Sequence, residues 1–184
     1  MKPSLPARSC LPLLVVSLAL ACLLFFAATA EARVTRVVVE NKQSPAYEGK
    51  AFGGVGQYEI LSGKAYGELD PNDPHNAIIT DIQFAPRNAR GIVEYVATFT
   101  LVKPGDLSKA GGVLLYAVPN RGNRISVPAF GVAGETGDEF FLKRGYIILH
   151  SGWQGDVSPR AGAETISVPV AKNPDGSSIV GAAL

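Results

Sequence analysis

The chain has 184 residues, 47% of them hydrophobic, and its 17 basic and 16 acidic residues leave a formal net charge of +1. That near-balance excludes a basic field for nucleic acid and an acidic tail, and the length allows one domain with a sizeable core behind a leader. The 20 glycines and 13 prolines are scattered, so they punctuate short elements and form neither a linker nor a low-complexity tract.

Lys2 and Arg8 head the chain, and Leu11 to Ala28 is almost wholly apolar. Small-x-small sites follow at Ala28-Thr29-Ala30 and Ala30-Glu31-Ala32. Basic, apolar, then small is the pattern of a cleavable export signal. Residues 1–32 are therefore expected to be a signal peptide that meets a membrane only in passing, with the remainder periplasmic or secreted. An uncleaved anchor is the alternative, since the apolar run approaches the roughly 20 residues that span a bilayer. A lipidated Cys22 is disfavoured, because it lacks a leucine three positions earlier and more apolar residues follow it. Both cysteines, Cys10 and Cys22, lie in the leader. The exported part then has no disulfide, thiolate nucleophile or cysteine metal ligand, and rests on an ordinary hydrophobic core.

Residues 33–108 read as a β-rich region. Val34 to Glu40 is a β-branched run. Tyr58 to Leu69 is expected as two short strands turning at Ser62-Gly63, and Ala77 to Phe84 as another strand ended by Pro86. Ile92 to Val102 alternates, with Val93, Tyr95, Ala97, Phe99 and Leu101 as the better core face. From residue 109 the pattern changes. Gly112 to Val118 and Tyr146 to Leu149 are apolar on both faces, which suits parallel strands covered on both sides. Between them Glu135 to Arg144 predicts a helix, with Thr136 as N-cap and Gly145 as its stop. Strand, helix, strand is a βαβ unit. The fold class is thus α/β, incomplete: an antiparallel β-rich front leading into the first βαβ unit of a sheet in residues 109–184. A single crossover cannot cover both faces of a sheet, so the sequence reads as the front of a longer protein.

Three stretches carry a resemblance: GGVGQYEILSGKAYGELDPNDPHNAIITDIQFAPRNARG (Gly53 to Gly91), LLYAVPNRGN (Leu114 to Asn123) and FFLKRGYIILHSGWQGDV (Phe140 to Val157). In this order they resemble the N-terminal portion of bacterial secreted proteins with an alpha/beta hydrolase domain. The resemblance spans residues 50 to 181. It implies the N-terminal part of an exported ester or acyl hydrolase acting on a small molecule, ending before the segment that would carry the nucleophile.

Such a hydrolase needs a serine in a G-x-S-x-G turn, followed in the chain by an acid and a histidine. Ser151, in Leu149-His150-Ser151-Gly152-Trp153, lacks the glycine pattern and has no histidine after it. His150 is a poor partner, because neighbours on a strand point to opposite faces. No catalytic residue is therefore assigned, and the chain alone is expected to be inactive. Asn120, Arg121 and Gly122 follow the first buried strand, where the hydrolase plan draws an oxyanion-hole N–H. An ordinary polar turn with Gly122 at positive φ is the simpler alternative. Arg121 is suited to a substrate carboxylate or to Asp156. Trp153, Gln154 and Asp156 follow the second buried strand, at the end of a sheet where ligands bind; Trp153 is either a pocket wall or a core anchor. Asp70-Pro-Asn-Asp-Pro-His-Asn76 reads as a self-capping turn, not a metal site. Gly53-Gly-Val-Gly56 lacks the context of a phosphate loop. No metal and no cofactor are expected. The rival function is a periplasmic β-rich ligand-binding or interaction module without catalytic activity.

Overall fold

The computed structural model describes residues 32–124 and 136–181. Residues 1–31 of the expected signal peptide, with both cysteines, lie outside the described residues. Residues Glu31–Leu184 cluster as one compact unit. Its framework is a mixed sheet of six strands: β1 (Arg33–Gln43), β2 (Tyr58–Leu69), β3 (Val93–Pro104), β4 (Leu114–Ala117), β5 (Ile147–Ser151) and β6 (Ile166–Ser167). The spatial order is β1-β2-β3-β5-β4, with β6 also pairing β3. β1, β2 and β3 form an antiparallel meander, β5 runs antiparallel to β3, and β4 and β5 are parallel. The front and back regions read from the sequence therefore share one sheet. Helix is scarce among the described residues, so the α/β class holds only coarsely, as a mixed β-sheet with one short crossover helix, α1 (Phe140–Lys143).

Register assigns each side chain to a face. On one face Ile60 pairs with Val102, Val102 with Ile148, and Ile148 with Leu115. Residues 46–55 and α1 cover this face, and the core forms there from Ala46, Phe52, Tyr58, Val102, Ala117, Leu142 and Ile148. Phe52 stacks edge-on against Tyr58 at 5.6 Å between ring centroids. The buried Tyr58 hydroxyl donates to the Leu142 carbonyl at 2.9 Å, tying β2 to the helix. We call this the packed face. Its opposite, the open face, carries Val34, Val37 and Val39 of β1 and Tyr116 of β4, each half exposed or more.

Four sequence expectations are corrected. Tyr58 to Leu69 is a single strand of 12 residues, not a hairpin. Gly63 is no turn residue: it sits opposite the β1 bulge between Val39 and Asn41, where a Cβ would meet the Val38 carbonyl oxygen at 1.9 Å. Ala77 to Phe84 is not a strand. Short 3-10 turns occupy Pro74–Asn76 and Ile82–Phe84, Asp81 at φ 60 breaks any extended run, and Ile78 is left in solvent while Ile82 is buried. The helix is one turn, because Glu139 at φ 68 is not helical and Phe140 is its first residue. Thr136 therefore caps nothing; Asp138 Oδ1 accepts the Phe140 N–H instead. Gly145 does end it, at φ 73. The N–H groups of Gly145 and Tyr146 donate to the Leu142 and Phe141 carbonyls, which closes a Schellman motif over the Phe141–Tyr146 ring contact. Finally, β3 is not one-sided: Val93, Ala97 and Phe99 are buried on the open-face side, while Val102 joins the core on the other.

Candidate functional site

A parallel pair of strands points both C-terminal ends the same way, so the loops that follow them emerge side by side. β4 leads into Pro119 to Arg124, and β5 into Gly152 to Val157. The first loop is a tight turn. Asn120 and Asn123 exchange backbone hydrogen bonds of 3.0 and 2.9 Å, and the central Arg121 and Gly122 have φ of 51 and 79. Positive φ at both central positions is the requirement of a type I′ turn. Gly122 is also hemmed in. A Cβ there would lie 3.0 Å from the Glu164 carbonyl oxygen and 3.1 Å from Ala163 and Val157.

The two loops are bonded to each other. Trp153 Nε1–H donates to the Pro119 carbonyl at 2.7 Å. Gln154 Oε1 accepts the Arg121 backbone N–H at 2.7 Å. The Arg121 guanidinium pairs with Asp156 at 2.5 Å, and that neighbouring charge holds the Asp156 carboxyl below its ordinary range. Every oxyanion-loop and pocket candidate read from the sequence thus lies at one end of the β4–β5 pair. The arrangement has a chemical consequence: the Arg121 N–H already has an acceptor, so a ligand oxygen must displace the Gln154 side chain to reach it. Sequence reasoning missed Arg160, whose Nη2 donates to Asn123 Oδ1 at 2.5 Å and to the Arg121 carbonyl at 3.3 Å. Arg160 belongs to an irregular segment with no periodicity, so nothing in the sequence announces it.

Trp153 is no core anchor: the residue is 53% exposed. It forms one wall of a groove of about 690 Å³ on the open face, together with Val37, Tyr95, Phe99, Tyr116 and Ser151. Ser151 therefore faces the groove. His150, next along β5, lies on the other face, buried at 6% exposure beside Thr100 and Ala117. Burial first, then the nearby Arg124 charge, pushes its imidazole down to about 4, against a hydrogen bond with the Ala117 backbone. It is a neutral interior histidine, turned away from Ser151. The chain's other histidine, His75, is bonded through Nδ1 to Asp73 at 2.9 Å. Neither is placed to take a proton from Ser151.

The Asp70–Asn76 segment caps itself. Asp70 and Asp73 side chains accept the N–H groups of Asn72 and His75, and Asn76 donates to the Asp70 carbonyl. Among the described residues no group of three or more His, Cys, Asp or Glu converges on one point, and no helix is long and apolar enough to cross a membrane. Compared with protein-family models, curated proteins and solved structures, the chain finds no match.

Proposed function

We propose that these residues are the N-terminal, loop-bearing part of an exported alpha/beta-hydrolase-like protein that cleaves an ester or related acyl bond of a small molecule. The observation that carries this reading is the convergence of Asn120-Arg121-Gly122 with Trp153-Gln154-Asp156 beyond the parallel β4–β5 pair. Ligand sites of open α/β sheets lie outside the carboxyl ends of their parallel strands, and a loop of this kind supplies an oxyanion N–H in hydrolases. A further feature supports it. β4 is an edge strand of the described sheet with Leu114 and Tyr116 exposed, whereas parallel strands are ordinarily paired on both edges and covered on both faces. The nucleophile, acid and histidine would then come from additional chain, with Ser151 lining the site without reacting.

The test is direct. The full chain, incubated with p-nitrophenyl acetate, should release no nitrophenol above buffer. Turnover abolished by Ser151→Ala would overturn the view that the nucleophile lies elsewhere. The reading frame beyond Leu184 should continue into a G-x-S-x-G segment, and the longer product should hydrolyse the ester.

A second reading has its own observation, the apolar groove walled by Trp153. On that reading the chain is a β-rich periplasmic ligand-binding module without catalysis. A stop codon after Leu184, with a cooperatively melting product inert toward esters, would favour it.

A further inference from the structure

The packed face holds a second, separate cavity. Beyond the hydrophobic core, where β1, β2 and β3 run on past Ile60 and Val102, the side chains become polar. Asn41, Ser62, Thr98 and Thr100 share this face by register. With Arg124 and Glu164 they line a pocket of about 350 Å³.

Glu164 is 4% exposed, and its setting is built. Its backbone N–H donates to the Gly122 carbonyl at 2.9 Å. The Thr98 hydroxyl accepts the Thr165 N–H at 2.8 Å and donates to Glu164 Oε2 at 2.7 Å. The carboxylate is therefore aimed by β3 and the Asn120–Asn123 turn. Yet among the described residues no lysine or arginine forms an ion pair with it, and none of the acids pairs with Arg124, although both line the same pocket. A buried carboxylate with one neutral donor is short of positive charge, and carboxylates are almost never fully buried without a partner. Glu40, at the rim, is already paired with Lys64.

We propose that this pocket binds a small zwitterion of free amino-acid size, its ammonium received by Glu164 and its carboxylate by Arg124. The two fixed charges are of opposite sign and complement such a ligand. The Ser62, Thr98 and Thr100 hydroxyls suit its polar remainder, and a volume near the lower end of ligand pockets suits its size. This site lies on the opposite face from the apolar groove, and binding there is measured without any hydrolase activity.

The experiment uses the full chain and the free proteinogenic amino acids as probes, screened by saturation-transfer NMR and quantified by calorimetry. At least one amino acid should bind. Its methyl ester, which lacks the carboxylate, and its N-acetyl form, which lacks the ammonium, should each bind at least roughly tenfold more weakly, the loss of a charge-assisted hydrogen bond. Glu164→Gln and Arg124→Gln should each weaken the parent amino acid by a similar factor. Arg124→Gln should leave the ester unaffected. No binding by any amino acid, equal binding of the blocked forms, or wild-type affinity in the variants overturns the proposal. Should Glu164→Gln fail to fold, the partly exposed Arg124→Gln decides the matter.

Discussion

The two faces of the sheet are built from the same strands and meet different fates. On the packed face, Tyr58, Val102 and Ile148 find cover in residues 46–55 and α1. On the open face, Val37 and Tyr116 are 60% and 53% exposed. Their residue types do not differ: β-branched and aromatic side chains occupy both. What differs is whether a second layer is present among the described residues. An apolar sheet face needs such a layer, and a contiguous exposed apolar patch marks a surface that meets something else.

The largest expected effect is the one that separates the faces energetically. Ile148→Ala leaves a cavity beneath α1 and should cost about 2–5 kcal/mol in urea unfolding of the full chain. Val37→Ala, of similar chemistry on the open face, should change stability by no more than about 0.5 kcal/mol. If Val37→Ala proves as costly as Ile148→Ala, the open face is covered in solution and the contrast between the faces fails.

Much of this was legible in the sequence, and the omissions have physical causes. The apolar runs Gly112–Val118 and Tyr146–Leu149 do hold the parallel β4–β5 pair, but the cover on both faces expected of them is absent from β4 among the described residues, where Leu114 and Tyr116 are exposed. Gly145 announced the helix end, since a left-handed terminus favours glycine. Gly63 misled because a glycine that admits a neighbouring strand's bulge looks, in sequence, like one that makes a turn. Ala77–Phe84 misled because its apolar residues satisfy a strand template, while Asp73 and Asp81 impose tight turns that periodicity does not register. The candidate site divides the same way. Loop positions after the apolar strands were readable from strand ends alone. The bonds between them were not: Gln154 meets Arg121 only because β4 and β5 lie side by side. Glu164 sits in an irregular stretch where no pattern predicts burial.

A smaller effect tests the packed face through pH. His150 is held neutral by burial, down to about 4 from an ordinary 6.5. Because its folded pKa is depressed, the unfolded chain binds the proton first as pH falls. The stability this histidine contributes is present above pH 6.5 and is lost as pH drops from 6.5 through 4. The loss should be of order 2 kcal/mol, allowing for solvent screening. His150→Gln should flatten the wild-type curve in that window. Glu59, pulled down to about 2 by Lys103 and Lys42, acts below 4.5 and stays in both curves. Equal pH slopes for wild type and variant would mean that His150 is reached by water.

The smallest effect concerns the loops that join the faces at the end of the β4–β5 pair. Three bonds hold Arg121: its backbone N–H to Gln154, its guanidinium to Asp156, and its carbonyl from Arg160. The ion pair is exposed on both partners, so salt and water screen it and it orders little. The backbone bond is neutral and directional, with a net worth of about 0.5–1.5 kcal/mol. Gln154→Ala should therefore speed hydrogen exchange at the Arg121 amide by roughly 2- to 10-fold, while Asp156→Asn leaves it nearly unchanged. The reverse pattern would make the ion pair the element that sets the turn. It would also mean that a ligand reaches the Arg121 N–H by breaking a salt-sensitive contact, and not by displacing an amide side chain.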